Sequence, residues 1–174
     1  IQVLNISREV ESMSGTPIDI LTRDGSIPVH RFEASSPGPL LVVMPSIFGL
    51  SPDVVAGAER FAHQGALVYV VDSFWREAPG PLRIPEDAPA AMDRKRSLDP
   101  EDAFSDLQAV IDAGLKDPDC TGQLLLLGIC FGGKFVMRAA QDYSVKGLAV
   151  WHGSGLLPWI SPSALIHTHM SLDF

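Results

Sequence analysis

The fold is decided by residues 124–134, which read Leu-Leu-Leu-Leu-Gly-Ile-Cys-Phe-Gly-Gly-Lys. The apolar run that opens this stretch is typical of a strand buried on both faces, and the residues that follow it are typical of a helix. Gly128 and Gly132 stand two places before and two places after Cys130. A strand that turns this sharply into a helix has room only for small residues there, and the turn exposes the side chain at its tip. The sequence therefore predicts a nucleophile elbow, residues 128–133.

Cys130, at the tip of this elbow, is the predicted nucleophile. The turn places its sulfur at the N-terminus of the next helix, where the helix dipole favours an anionic group. The backbone N–H of the next residue, Phe131, can point at the oxyanion that develops when a carbonyl is attacked. The alternative is a glycine-rich turn that carries an unreactive thiol, because a short motif is only a hypothesis.

Apolar runs alternate with helical patterns along the rest of the chain. Strands are predicted at 19–21, 27–32, 40–44, 66–71, 123–127, 145–151 and 164–170, and helices at 51–63, 99–115 and 134–143. This order predicts one α/β domain over residues 1–174, with a mostly parallel sheet and helices on both faces. Segment 72–98, rich in proline, arginine and aspartate, is interpreted as a long functional loop.

Ligand sites in such sheets lie beyond the carboxyl ends of the strands. Loop 45–50 follows the strand predicted at 40–44 and should lie next to the elbow. A second oxyanion donor is therefore expected from this loop, with the N–H of Ile47 as the candidate. The simpler interpretation is an ordinary loop whose Phe48 covers the core.

Composition excludes several classes of partner. The 174 residues carry 13 Lys and Arg against 21 Asp and Glu, a net charge of −8, and 46% are hydrophobic. These values are typical of a folded globular chain, and an acidic chain without a basic run is a poor binder of nucleic acid or anionic membranes. Two cysteines, Cys120 and Cys130, form neither a disulfide framework nor a C-x-x-C pair. We therefore expect a reducing compartment, the cytoplasm.

The elbow, together with Ile47-Phe48-Gly49 and the segment 72–80, resembles the dienelactone hydrolase family of the α/β-hydrolase fold. In that family the elbow is typically G-x-C-x-G-G, and a D-x-x-x-R-x-A-P-G-like segment follows the next strand. Segment 72–80 reads Asp-Ser-Phe-Trp-Arg-Glu-Ala-Pro-Gly. The resemblance extends over essentially the whole chain from about residue 15.

The resemblance implies a role for each matching residue. Cys130 would be the nucleophile, Ile47 and Phe131 the oxyanion donors, and Arg76 the binder of a substrate carboxylate. Asp173 matches the acid of the triad, in a pattern of apolar–apolar–His–x–Gly–x–x–Asp type. No metal or organic cofactor is needed for this chemistry.

The sequence departs from the family pattern in two places. Family members usually carry a glutamate, which takes part in activating the thiol, where this chain has Ser46. The family's triad histidine would lie beyond Phe174, so we expect these residues to be part of a longer protein. The other interpretation is a natural truncation that forms a homodimer over the unpaired sheet edge.

Other side chains at the same rim have simpler interpretations as well. His152 follows the strand after the elbow and is a candidate substitute base, or else a wall residue. Trp75 and Phe48 are candidates for lining a pocket, or else pack in the core. Arg76 could instead pair with Glu77 or Asp72.

A metal site is not predicted. His167 and His169 share one face of a predicted strand near Asp173, but a lone His-x-His is a weak signal.

Two functions follow from these observations. The first is a hydrolase that cleaves an ester, thioester or lactone through an acyl-thioenzyme on Cys130. The second is a non-catalytic α/β module that binds a small acid in the same cleft, or acts through its sheet edge.

Overall fold

The computed structural model describes residues 15–154. Its strands are β1 Thr16–Leu21, β2 Ser26–Phe32, β3 Gly38–Met44, β4 Leu67–Val71, β5 Cys120–Ile129 and β6 Val145–Trp151. Its helices are α1 Pro52–His63, α2 Ala88–Ser97, α3 Pro100–Gly114 and α4 Gly133–Asp142, with a 3₁₀ turn at Cys130–Gly132.

The six strands form one sheet in the order β1-β2-β4-β3-β5-β6. Strands β4, β3, β5 and β6 run parallel to their neighbours, whereas β1–β2 and β2–β4 are antiparallel. From β3 the chain moves outward to β4 and then crosses back to β5 on the other side of β3. The strand order reverses between β3 and β5, and in open α/β sheets ligands bind at such a switch point.

The same topology explains why helices cover both faces of the sheet. Right-handed crossovers that move in opposite directions along a sheet place their helices on opposite faces. Val54, Ala58 and Ala62 of α1 pack on one face with Val68 and other strand residues. The buried side chains of α3 and α4 pack with the other face. The α/β fold with helices on both faces is thereby confirmed.

The order of the predicted strands and helices within residues 15–154 is confirmed, with one correction. All five residues of β4 and six of the seven in β3 are buried, as expected for strands covered on both faces. Segment 72–98 is not a loop throughout, because α2 occupies its last part. The apolar residues of this helix all fall in its first half and the polar ones in its second, and its buried residues are Ala91 and Arg94. Its sequence therefore gives little periodic signal. The strand predicted at 164–170 lies outside the described residues.

The outer edge of β6 bears on the predicted homodimer. Within residues 15–154 this strand pairs on one side only, with β5, and Trp151 at its end is 65% exposed. Homodimerisation over this edge stays a prediction. No helix in the described range is long and apolar enough to cross a membrane.

A partly buried ion-pair network lies at the start of β5, the end of that strand opposite the elbow. Arg31 donates to both carboxylate oxygens of Asp117, at 2.8 and 3.0 Å, and to Asp119 at 2.6 Å. The hydroxyl of Tyr69 donates to Asp117 at 2.5 Å. Chiefly through the Arg31 hydrogen bond, the network lowers the pKa of Asp117 from 3.8 to about 2.

This shift predicts that Asp117 makes the folding free energy depend on pH. Because its pKa is lower in the folded chain than in the unfolded one, its stabilisation is complete above about pH 5 and is lost as the pH falls towards 2. Asp117→Asn should cost about 2 kcal/mol at pH 7. The difference from the unsubstituted chain should shrink steadily between pH 5 and pH 2 in urea titrations.

The matched control is Asp93→Asn, since Asp93 pairs with Arg96 on the surface and both side chains are mostly exposed. An exposed pair contributes about 0–1 kcal/mol. A pH-independent effect of Asp117→Asn would contradict the prediction.

Candidate active site

The elbow forms at the end of β5 as predicted. Cys130 adopts φ 52°, a left-handed conformation that a residue other than glycine rarely takes. It begins the 3₁₀ turn that leads directly into α4, and its side chain is half-buried. In a nucleophile elbow this strained backbone conformation directs the side chain of the central residue out of the turn. The structure thus places the thiol at the tip of the elbow.

Close packing explains the two glycines that flank Cys130. A Cβ added to Gly132 would stand 2.1 Å from the carbonyl oxygen of Met44, the last residue of β3. A Cβ on Gly128 would stand 2.5 Å from Val136 and 2.6 Å from the Cα of Gly133. The first contact brings the elbow directly against the start of loop 45–50, as the sequence predicted.

Residues 46–49 form a tight turn beside the elbow, called here the oxyanion turn. The Gly49 N–H donates to the Ser46 carbonyl at 3.0 Å, and the Phe48 N–H donates to the Ser46 hydroxyl at 3.2 Å. Gly49 has φ 71°, which favours glycine. Within residues 15–154 no group accepts the N–H of Ile47. This N–H is therefore available to a ligand, and the assignment of Ile47 and Phe131 as oxyanion donors stays a prediction.

The segment after β6 folds over the elbow and brings a hydroxyl to the thiol. The Ser154 N–H donates to the Cys130 carbonyl at 3.2 Å, and the Ser154 hydroxyl lies 3.9 Å from the Cys130 sulfur. Sequence reasoning placed His152 at this rim but missed Ser154. His152 is exposed, has φ 51° and faces the Trp151 ring at 6.3 Å. It makes no hydrogen bond to the thiol, and its role as substitute base stays a prediction.

Arg76 and Trp75 share one buried carboxylate. Both terminal nitrogens of Arg76 donate to Asp106 of α3, and the Trp75 indole N–H donates to the same group at 2.8 Å. Asp106 is 3% exposed. The ion-pair partner of Arg76 is therefore Asp106, and not Glu77 or Asp72. A role for Arg76 in binding substrate stays a prediction, as does pocket lining by Trp75 and by the half-buried Phe48.

Sequence reasoning also missed Arg94, which is 3% exposed. Its guanidinium lies 4.4 Å from the ring of Phe74, which in turn stacks on Phe131 at 5.6 Å. Ala91, Arg94 and Leu98 recur at helical spacing and are all buried. A charged residue at a core-facing helix position was the signal that could have revealed it, and Asp106 on α3 has the same signature.

The described residues contain no group of three or more His, Cys, Asp and Glu that could hold a metal ion. Three residues singled out from the sequence, Asp173, His167 and His169, lie outside the described range. The triad acid predicted from the family pattern is therefore a prediction still.

A comparison with family models places the site in a known group. The model of the dienelactone hydrolase family matches residues 29–170. The chain belongs to the dienelactone hydrolase family. The match includes the oxyanion turn, the Arg76 segment and the elbow, as the sequence resemblance implied.

Two relatives of this chain are 26% and 32% identical to it. A carboxymethylenebutenolidase of Pseudomonas sp. is 26% identical over 141 residues, which cover 79% of this chain and 59% of that protein. A carboxymethylenebutenolidase of Rhodococcus opacus is 32% identical over 133 residues, covering 74% of this chain and 50% of that protein. The chain thus spans less than two thirds of either protein.

Solved structures agree on the fold. A dienelactone hydrolase-like promiscuous phosphotriesterase from metagenomic libraries superposes with a TM-score of 0.64 at 21% identity. The superposition covers 84% of this chain and 61% of that one. At this identity the likeness supports the α/β-hydrolase fold and nothing finer.

Proposed function

We propose that this chain carries the nucleophilic half of a hydrolase that cleaves an ester, thioester or lactone through Cys130. One observation carries the proposal: a cysteine with φ 52° at the tip of an elbow, packed against a turn whose Ile47 N–H is free within residues 15–154. A nucleophile and an adjacent unpaired donor are two of the groups that enzymatic acyl transfer uses. Membership of the dienelactone hydrolase family supports the same reaction class.

The proposed reaction has two steps. The Cys130 sulfur attacks the carbonyl carbon, a C–S bond forms, and the negative charge on the carbonyl oxygen is stabilised by the N–H groups of Ile47 and Phe131. Collapse of this intermediate breaks the C–O or C–S bond of the substrate. The thiol proton leaves with the alcohol or thiol, or stays on the opened lactone. Water then attacks the acyl-thioenzyme, releases the acid and restores the thiol.

The proposal assigns substrate choice to the rim of the oxyanion turn and the Arg76 segment. Two relatives are named carboxymethylenebutenolidases, so a small lactone that carries a carboxylate is the proposed substrate class. Arg76 is 23% exposed at its side chain and is the candidate for the substrate carboxylate. We further propose that the protein acts in the cytoplasm on a small molecule, and that it binds neither nucleic acid nor membranes.

Arg76→Lys tests the role in carboxylate binding. If Arg76 binds the substrate carboxylate, the KM for a carboxylate-bearing ester should rise about 10-fold, since lysine cannot form the bidentate pair. The KM for a neutral ester of the same alcohol should stay unchanged. Equal changes in both KM values would show that Arg76 serves the Asp106 ion pair alone.

A non-catalytic binding module is the second candidate, and one observation favours it. Within residues 15–154 the Cys130 thiol has the Ser154 hydroxyl as its hydrogen-bond partner, and the Ser46 hydroxyl accepts from the Phe48 N–H. No carboxylate bonds the thiol in that range.

Stoichiometric alkylation separates the two candidates. One equivalent of iodoacetamide should modify Cys130, as read by peptide mapping, and should abolish turnover of p-nitrophenyl acetate in parallel. Full alkylation of Cys130 with turnover unchanged would contradict the hydrolase proposal.

A further inference from the structure

Arg94 of α2 is a buried cation whose hydrogen-bond partners are all backbone carbonyls. Its Nε and Nη2 donate to the Ile47 carbonyl at 2.8 and 2.5 Å. Its Nη1 donates to the carbonyls of Ala78 and Gly80 at 3.0 and 2.8 Å. Burial lowers the pKa of Arg94, and the nearby Asp72 carboxylate acts against this. A buried charge is costly unless it is well bonded, so these four bonds hold the surrounding backbone firmly.

These bonds join two loops at the carboxyl ends of neighbouring strands. Ile47 belongs to the oxyanion turn after β3, whereas Ala78 and Gly80 belong to the segment after β4. Asp72 also holds that second segment, because its carboxylate accepts the N–H of Gly80 at 2.8 Å. The oxyanion turn is thereby anchored to a segment that has a second hydrogen bond of its own.

Space around the guanidinium is tight. A Cβ on Gly49 would stand 3.2 Å from Nη2 of Arg94 and 3.1 Å from the Gly80 carbonyl oxygen. The face of the guanidinium lies on Phe74, which stacks on Phe131 of the elbow. Arg94 thus contacts the turn that contains Ile47, the first proposed oxyanion donor. It also contacts the ring of Phe74, which packs on Phe131, the second proposed donor.

We infer that Arg94 is a positioning residue that holds the Ile47 N–H towards the oxyanion. The effect of Arg94 on the acylation rate rests on the proposed function. The anchoring of the turn by Arg94 does not depend on that function. The Ile47 N–H lies in the peptide plane that Ile47 shares with Ser46, and the Ser46 carbonyl in that plane accepts the Gly49 N–H at 3.0 Å. Arg94 holds the next peptide plane through the Ile47 carbonyl and also packs beside Gly49, so it fixes the turn that sets the direction of the Ile47 N–H. A donor displaced by about 1 Å can cost about 100-fold in rate, and loss of one oxyanion donor costs about 100- to 1,000-fold.

The test compares Arg94→Ala with Arg96→Ala. Arg96 lies on the same helix, is largely exposed and pairs with Asp93, so it controls for the loss of an arginine from α2. Arg94→Lys is the second variant, since it keeps a charge and most of the side chain. Lysine lacks the planar fork that reaches three carbonyls together, so it should restore only part of the function.

Two reactions of Cys130 separate positioning from general damage. Acylation by p-nitrophenyl acetate develops an oxyanion, whereas alkylation by iodoacetamide does not. Arg94→Ala should slow acylation about 100-fold with little change in KM, and should leave the alkylation rate unchanged. Millimolar guanidinium should restore part of the acylation rate in Arg94→Ala and have no effect on Arg96→Ala. Acylation and alkylation reduced in the same proportion, or acylation left unchanged, would overturn the inference.

Amide hydrogen exchange keeps the inference testable if the chain proves inactive. Arg94→Ala should speed exchange at the N–H groups of Gly49 and Gly80 at least about 10-fold, with the central residues of β5 still protected. If the unsubstituted chain shows no Cys130-dependent acylation, the proposed function is wrong. Faster exchange at the Gly49 and Gly80 amides in Arg94→Ala would still support the anchoring of the turn by Arg94. Unchanged exchange at both amides would overturn it whatever the activity.

Discussion

Cys130→Ala should eliminate the burst of nitrophenolate that follows mixing of the chain with p-nitrophenyl acetate. The sulfur is the proposed acyl acceptor, so without it no acyl-thioenzyme forms and the burst has no chemical route. Loss of a catalytic nucleophile commonly costs at least about 1,000-fold in kcat, down to a residual rate supplied by binding and the oxyanion donors. Stopped-flow absorbance measures both phases in one experiment.

Cys120→Ala is the matched control for this substitution. Cys120 is also a free, half-buried cysteine, and it begins the strand that ends at the elbow. Cys120 pairs with Gly38 and Gly128 pairs with Met44, six residues further along β3, so about 20 Å of strand separates Cys120 from the elbow. Its variant should keep the full burst. A burst that survives in Cys130→Ala, or is lost in Cys120→Ala, would contradict the assignment of the nucleophile.

Gly132→Ala should destabilise the chain more than any other single methyl group added in the elbow. The new Cβ would stand 2.1 Å from the Met44 carbonyl oxygen and 2.9 Å from that of Pro45. Both contacts are with backbone, so β3 and the elbow must move apart, and neither can move cheaply in a packed sheet. We expect a loss of about 3 kcal/mol or more in the free energy of unfolding, measured by urea titration.

Gly57→Ala provides the comparison, because Gly57 lies inside α1 and a Cβ there meets nothing within 4 Å. This substitution should stabilise the chain by about 0.5–1 kcal/mol, since alanine favours the helix. If the two variants had equal free energies of unfolding, close packing against β3 would not explain why position 132 is a glycine.

The elbow could be predicted from the sequence because its constraints are local. Gly128, Cys130 and Gly132 all lie in one turn. In the structure Cys130 has a positive φ, and a Cβ on either glycine would come too close to its neighbours. Strands β3 and β4 could be predicted for a similar reason, because burial on both faces leaves a continuous apolar run.

Arg94 and Asp106 could not be predicted as site residues, because their partners are distant in the sequence. Arg94 bonds Ile47, 47 positions earlier, and Asp106 bonds Arg76 and Trp75, about 30 positions earlier. Nothing local distinguishes such a residue from a surface charge until the helix face is known. The partner of Arg76 was mistaken for the same reason, since sequence neighbours were the only candidates in view.

The central claim is that Cys130 becomes acylated, and the most direct measurement is the mass of the reaction intermediate. The chain would be mixed with p-nitrophenyl acetate, quenched in acid within the burst, digested and analysed by mass spectrometry. The account predicts one acetyl group on the peptide that contains Cys130 and none on the peptide that contains Cys120. A folded chain with no acetyl group on Cys130, or with acetylation on Cys120 alone, would contradict it.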